Sequence, residues 1–202
     1  MGGEIFADDI TVLCRDLRGE SSLYIEAFSG RLGAISLMKR ISAKKTSALP
    51  DIFDDIEASL NPSSSGDLKF VGGFEIRRRR TAIASDYGAF EDAAAIAGVV
   101  RRNGRHIEDT ARLSARLRRS LDAIDAGMPS PAVRLKFLYL LVRDEGYPVR
   151  EDFFARLPEA EKRLFALIVK TPSAELSDFK ARSREMLEKF CRWISGSTDI
   201  EE

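Results

Sequence analysis

Residues 19–45 constrain the possible folds most strongly, because they read as two strands joined by a glycine-containing turn. Apolar residues alternate with other residues along both halves of the segment, at Leu23, Ile25, Ala27, Ile35 and Leu37. A period of two residues is the period of a β-strand with two different faces. Between the halves, Gly30 and Gly33 supply the conformational freedom that short hairpin turns often need. The segment is therefore predicted to be a β-hairpin.

Three more strands are predicted in residues 1–80, one before the hairpin and two after it. Their apolar positions follow the same period: Ile10, Val12 and Cys14 within 9–16; Ile56, Ala58 and Leu60; Leu68, Phe70, Phe74 and Ile76. Gly72-Gly73 interrupts the last strand and is expected to mark a bulge. Five short strands favour a closed barrel, because closure removes exposed strand edges. We therefore predict a small five-stranded OB-like β-barrel over residues 1–80.

The pattern changes after Arg80 to apolar residues spaced three or four apart, which is the spacing of amphipathic helices. Asp86 is placed to cap the first helix, and Gly104 is placed to end it. Later helices are predicted between Ile107 and Gly127, Ser130 and Gly146, Pro158 and Pro172, and Ser177 and Ser195. A frayed polar tail is expected over residues 196–202. The chain is thus predicted to be an α+β protein, with the barrel in 1–80 and an α-helical domain in 81–202.

Charge and cysteine content exclude several classes of protein. Lys plus Arg and Asp plus Glu both number 32, so any basic surface must come from local segregation of charge. The two cysteines, Cys14 and Cys191, lie far apart and lack the spacing of zinc ligands. No segment approaches the roughly 20 apolar residues of a membrane span. The expected protein is cytoplasmic, without a zinc site or a disulfide scaffold.

No enzymatic site is predicted from the sequence. The single histidine, His106, lies beside an arginine near a predicted helix junction and is interpreted as a surface residue. The sequence has no nucleophile elbow, P-loop or dinucleotide-binding fingerprint. One acidic cluster could bind a divalent cation, although a solvated surface is the favoured interpretation. It consists of Asp51, Asp54, Asp55 and Glu57. No cofactor or metal is therefore expected.

Three basic clusters are the remaining candidates for function. The first consists of Lys39, Arg40, Lys44 and Lys45, and the second of Arg77, Arg78, Arg79 and Arg80. The third lies on or near the first two predicted helices and consists of Arg101, Arg102, Arg105, Arg112, Arg116, Arg118 and Arg119. Small barrels bind single strands through basic grooves and aromatic side chains, which favours nucleic-acid binding. The predicted stacking residue is Tyr24 or Phe28, and packing against the helical domain is the favoured alternative for Phe28.

Two short motifs add a resemblance to a known family. Gly19-Glu20-Ser21-Ser22-Leu23 is followed by Glu26-Ala27-Phe28-Ser29, and then by Gly33 and a basic run. Farther along, Phe137-Leu138-Tyr139-Leu140-Leu141 precedes Gly146-Tyr147. These segments resemble the opening strands and the helical-domain motif of the bacterial recombination mediator RecO. Many RecO proteins carry a four-cysteine zinc module after that helix, whereas residues 146–158 contain no cysteine here.

The resemblance implies a non-enzymatic DNA-repair protein of the bacterial cytoplasm, which associates with the nucleoid when active. RecO proteins bind single- and double-stranded DNA, anneal complementary strands, and act with RecR to load recombinase. They also bind the C-terminal tail of single-strand-binding protein through the helical domain. The predicted DNA contacts are Lys39, Arg40, Lys44, Lys45, Arg77, Arg78, Arg79, Arg80 and Tyr24. The predicted tail contacts are Arg112, Arg116 and Arg119, which share one helix face by their spacing.

The zero net charge leaves a second function open. In this alternative the protein is an adaptor that binds RecR or single-strand-binding protein and has little DNA affinity of its own. A band shift of DNA at low salt distinguishes the two functions.

Overall fold

The computed structural model describes residues 3–19, 21–41, 48–63, 67–179 and 182–202. The chain divides into two compact units. The first unit contains Met1–Arg80 and Gly104–Ala115, and the second contains Thr81–Asn103 and Arg116–Glu202. These units differ in one respect from the predicted division after residue 80. Residues 104–115 belong to the unit that contains the strands.

Among the described residues, the strands of the first unit are β1 Ile5–Arg18, β2 Ser22–Ser29, β3 Gly33–Arg40, β4 Asp55–Pro62 and β5 Leu68–Arg78. They close into a barrel in the order β1-β2-β3-β5-β4, in which β4 returns to β1. Strands β3 and β5 are parallel, and the other neighbours are antiparallel. This arrangement confirms the predicted five-stranded OB-like barrel at the N-terminal end of an α+β protein.

The barrel interior is aliphatic, because alternate residues of each strand point inward. Its buried residues are Ala7, Ile10, Val12, Leu23, Ile25, Ala27, Ile35, Leu37, Ile56, Ala58, Leu60 and Val71. Burial of one Val, Leu or Ile side chain contributes about 1.5–3 kcal/mol. A slip of one residue in any strand would turn that set outward, so the interior determines the register. The β2–β3 turn contains Gly33 at φ +68°, in agreement with the predicted hairpin.

The turn before β4 has an unusual backbone. Phe53 has φ +69°, in a region that bulky residues rarely adopt. Its side chain is buried, and its amide donates to the Val12 carbonyl at 2.9 Å. The Arg80 guanidinium donates to the Phe53 carbonyl. Burial and these two hydrogen bonds hold the strained residue in place.

The helices that the structure describes are α1 Tyr87–Asn103, α2 Thr110–Asp125, α3 Ser130–Asp144, α4 Glu159–Lys170 and α5 Ser183–Ser197. A π-helical turn, Val149–Phe154, lies between α3 and α4. Asp86 caps α1 as predicted, because its Oδ1 accepts a hydrogen bond from the Ala89 amide at 2.7 Å. None of these described helices is long and apolar enough to cross a membrane.

Two predictions for the end of the chain are wrong. The last helix begins at Ser183 and not at Ser177, because two 3₁₀ turns, Ser173–Glu175 and Ser177–Phe179, precede it. The Ser177 hydroxyl donates to the Asp178 carboxylate at 3.3 Å within the second of these turns. The segment 198–202 is not frayed, since several of its main-chain groups are hydrogen-bonded.

Aromatic side chains form much of the core of the second unit. The ring centroid of Phe165 lies 5.4 Å from that of Phe153 and 5.5 Å from that of Phe190. Phe190 stacks on Trp193 at 5.6 Å with an interplanar angle of 11°. The Trp193 indole donates to the Asp152 carboxylate at 3.0 Å. These contacts fasten the π-helical turn to α4 and α5.

Candidate functional site

The outer face of the barrel carries a row of four side chains across β2, β3, β5 and β4. In the ladder, Tyr24 pairs with Met38, and Met38 pairs with Phe70. Phe70 also pairs with Asn61. Each of the four follows or precedes a core residue in its strand, so the four point outward; these core residues are Leu23, Leu37, Val71 and Leu60. Adjacent strands lie about 4.8 Å apart, which separates Tyr24 from Phe70 by about 10 Å. We call these four residues the outer row.

Phe70 is the most exposed aromatic residue of the outer row. Its side chain is 47% exposed, whereas Tyr24 is half-buried. The Tyr24 hydroxyl donates to the Ser36 hydroxyl at 3.1 Å, and the Arg18 guanidinium carbon lies 5.4 Å from the ring centroid. These contacts hold the Tyr24 ring in one orientation. Phe28, the other predicted stacking residue, is fully buried and therefore cannot meet a base. Sequence reasoning missed Phe70 as a stacking residue.

Two predicted DNA contacts on β3 have different surroundings. Arg40 is exposed and pairs with Ser22 in the ladder, which places it on the outer side of the barrel near the outer row. Lys39 is half-buried, and its Nζ donates to the carbonyls of Val71 at 3.3 Å and Gly72 at 2.7 Å. Lys39 therefore fastens β3 to β5, while Arg40 stays at the surface. The other members of this cluster lie outside the described residues: Lys44 and Lys45.

The second basic cluster lies beside acidic residues of the barrel. Arg77 lies 2.6 Å from the Glu57 carboxylate and 2.8 Å from the Glu75 carboxylate. Arg79 lies 3.2 Å from the Asp54 carboxylate. Much of the positive charge of this cluster is therefore balanced by carboxylates of the same barrel.

The predicted DNA contact at Arg80 is wrong. Its side chain is fully buried, and its Nη2 lies 2.8 Å from the Asp55 carboxylate. Its Nη1 donates to the Phe53 carbonyl, and Asp55 also accepts from the Thr11 hydroxyl at 2.7 Å. A buried guanidinium that is bonded to internal acceptors cannot reach a phosphate. Its neighbour Arg78 is exposed.

Arginines of the barrel engage the acidic cluster that could bind a divalent cation. Asp54 and Asp55 are buried beside Arg79 and Arg80, and Asp51 lies 3.0 Å from Arg15. Burial raises the pKa of Asp54, although a backbone amide and Arg79 act in the opposite direction. Among the described residues, no group of three or more His, Cys, Asp or Glu side chains is arranged to hold a metal ion.

The three arginines predicted to bind a protein tail differ in their surroundings. Arg112 is exposed and lies 3.1 Å from the Asp109 carboxylate. Arg116 is only 10% exposed and forms an ion pair with Asp144. The prediction for Arg116 is therefore corrected, because its charge is enclosed by the second unit. Arg119 is exposed.

The second unit contains an apolar cleft of about 120 Å³ that sequence reasoning missed. It is lined by Tyr139, Val149, Arg150, Phe154, Phe165, Ala166, Val169 and Lys170. Tyr139 and Phe165 meet edge to face, with ring centroids 5.5 Å apart. The Arg143 guanidinium carbon lies 5.7 Å from the Tyr139 ring centroid. The π-helical turn Val149–Phe154 forms one wall of the cleft. Such turns are frequent at functional sites.

The described surface thus offers two candidate binding sites, the outer row in the first unit and the cleft in the second. A scan against protein-family models and a search of curated proteins both found no match. The assignment of function therefore rests on the chemistry of these two sites.

Proposed function

We propose that the protein binds single-stranded DNA along the outer row and works as a recombination mediator in DNA repair. The observation that carries this proposal is the placement of Tyr24 and Phe70 in one row across β2, β3 and β5. OB folds bind oligonucleotides on the face formed by their second and third strands. Aromatic side chains on such a face stack with any base. The proposed binding is therefore tolerant of DNA sequence.

Stacking contributes more than charge to the proposed affinity. Each stacked base contributes about 1–3 kcal/mol. Arg18 and Arg40 are cations on this face, and Arg18 lies 3.2 Å from the Asp16 carboxylate. Each phosphate contact by a cation changes the log–log salt slope of single-strand binding by about 0.7. Two contacts give a slope of about −1.4, which is roughly a seven-fold loss of affinity from about 50 to about 200 mM salt.

The wider role follows from the resemblance to RecO. In this role the protein also binds double-stranded DNA, anneals complementary strands, and acts with RecR to load recombinase. Stacking on aromatic faces suits annealing, because it leaves the pairing edges of the bases open to a second strand.

The experiment is a titration of labelled oligothymidine of about 16 nucleotides, followed by fluorescence anisotropy at low salt. Phe70→Ala should weaken binding by about 1–3 kcal/mol, which is roughly 5- to 150-fold. Phe6→Ala is the matched control, because Phe6 is 57% exposed on the same barrel but lies outside the outer row. Equal affinities of the wild type and Phe70→Ala would overturn the proposed site.

A second candidate function, as a protein-interaction adaptor, is favoured by the cleft. Its aromatic floor and its two cations, Arg150 and Lys170, match a ligand that presents an apolar side chain beside carboxylates. The acidic and apolar tail of single-strand-binding protein belongs to this class. In this candidate function the cleft receives the tail in place of the three arginines of α2.

A labelled peptide with several aspartates and an apolar C-terminal end tests the cleft. Lys170→Glu should weaken its binding about tenfold or more, because an attraction becomes a repulsion. Lys162→Glu is the control, since Lys162 lies on the same helix but pairs with Glu159 outside the cleft. Loss of peptide binding with unchanged DNA binding would separate the two functions.

A further inference from the structure

A single buried side chain holds the segment that follows α5. Asn103 lies at the end of α1 and is 7% exposed. Its Nδ2 donates to the Glu201 carbonyl at 2.8 Å, and the Glu201 amide donates to its Oδ1 at 3.0 Å. One side-chain amide thus satisfies both main-chain groups of one residue, as a neighbouring β-strand would. Bonds of this kind recognise an extended backbone with little regard to its side chains.

Two more residues bond the main chain of this segment. The Tyr147 hydroxyl accepts from the Asp199 amide at 3.1 Å, and Arg102 Nε donates to the Glu201 carbonyl at 3.4 Å. Asn103 is itself prepositioned, because its Nδ2 also donates to the Val99 carbonyl at 2.8 Å. A prepositioned donor loses less side-chain entropy on binding. We call Arg102, Asn103 and Tyr147 the clamp.

The clamped segment adds little to the core of the second unit. Thr198 is extended, with φ −139° and ψ 165°, and none of residues 198–202 is buried. The segment is therefore held largely by hydrogen bonds. Segments with few buried apolar contacts open at low free energy while the rest of the fold persists.

We propose that the clamp is a binding site for short, extended, acidic peptides, and that residues 198–202 are a self-ligand that closes it. The occupant carries three acids, Asp199, Glu201 and Glu202, beside the cation Arg102. A tethered ligand competes at an effective concentration on the millimolar scale. A peptide from another protein therefore binds only when the self-ligand is displaced. The inference uses other residues than the outer row and the cleft, and it does not depend on DNA binding.

Two substitutions at position 201 test the proposal in the full chain. Glu201→Pro removes the amide that donates to Asn103. Glu201→Ala keeps that amide and removes only the side chain. The probe is a labelled peptide with the sequence of residues 197–202. Glu201→Pro should bind it several-fold more tightly than the wild type or Glu201→Ala, because the self-ligand loses one of the hydrogen bonds that hold it.

Asn103→Ala in the Glu201→Pro background should abolish peptide binding. Tyr87→Ala in the same background is the control that should not change it, because Tyr87 is 83% exposed on α1 and lies outside the clamp. The proposal is overturned if Glu201→Pro stays folded by circular dichroism yet binds no peptide. It is also overturned if Glu201→Pro unfolds the second unit, because the segment would then belong to the core. An independent measurement is hydrogen exchange of the wild type. The amides of residues 198–202 should exchange faster than those of α5, and slower exchange would contradict a removable segment.

Discussion

Two basic segments of the barrel resemble each other in sequence but have different surroundings in the structure. Residues 77–80 are four consecutive arginines, yet Arg77 and Arg79 meet carboxylates and Arg80 is buried. Arg40, from the first basic cluster, is exposed near the outer row. The difference comes from the carboxylates that the fold places beside each arginine. A run of like charges becomes a binding surface only where its cross-strand neighbours leave that charge unbalanced.

Arg80→Ala should have the largest effect, and it would be on stability. The substitution leaves the buried Asp55 carboxylate without its arginine and removes a donor to the strained Phe53 turn. Breaking a buried ion pair by removing one partner costs about 3–5 kcal/mol. Urea unfolding monitored by circular dichroism measures this loss.

Arg77→Ala is the matched control for that experiment. Arg77 belongs to the same run and also pairs with carboxylates, but its side chain is 52% exposed. Exposed ion pairs contribute about 0–1 kcal/mol. Similar losses of stability for the two variants would break the distinction between buried and exposed arginines.

Arg40→Glu should have the next largest effect, and it would be on DNA affinity. Replacing a cation beside the outer row should weaken oligothymidine binding and make the salt slope less steep by about 0.7. Arg77→Glu should change the slope less, because its neighbours already balance its charge. Anisotropy titrations at several salt concentrations measure both slopes. A larger change for Arg77→Glu would reverse the comparison and return the DNA contact to residues 77–80.

Substituting Asp54 or Asp144 should change stability less than the substitutions above. The two changes should depend on pH in opposite directions. Burial raises the pKa of Asp54 above 3.8. Burial also acts to raise the pKa of Asp144, but hydrogen bonds from Arg143 and Arg116 outweigh it and hold that pKa below 3.8. A raised pKa contributes stability that is present below the unfolded-state pKa and is lost as pH rises through the folded-state pKa. A lowered pKa contributes stability that is present above the unfolded-state pKa and is lost as pH falls through the folded-state pKa.

Urea midpoints at about pH 3 and about pH 7 measure these contributions. The wild type's free energy of unfolding at about pH 7 minus that at about pH 3 is the reference. Asp54→Asn should make this difference larger, because it removes the cost of ionising a buried carboxyl at neutral pH. Asp144→Asn should make it smaller. The same sign of change for both variants would contradict the assigned directions.

Local patterns predicted the elements well, whereas the candidate site was only partly predictable. The alternation around Leu23 and Leu37 identified the hairpin, and Asp86 was recognised as a cap, because both signals depend on residues near in sequence. Within the site, the sequence predicts Tyr24 and Arg40. Phe70 was placed in its strand but not in the site, because the parallel pairing of β3 with β5 brings it beside Met38. The cleft was missed because a π-helical turn has no clear local signature.

The sequence by itself determined the division into strands and helices, the closed barrel and most element ends, since periodicity and capping are local properties. Only the tertiary structure decided which charges stay at the surface. Arg80 and Asp55 are 25 residues apart in sequence, and Arg116 and Asp144 are 28 apart, yet each pair is enclosed together. The structure likewise decided that residues 198–202 are bound by Asn103. Pairings over such separations depend on strand register and helix packing, which no local pattern specifies.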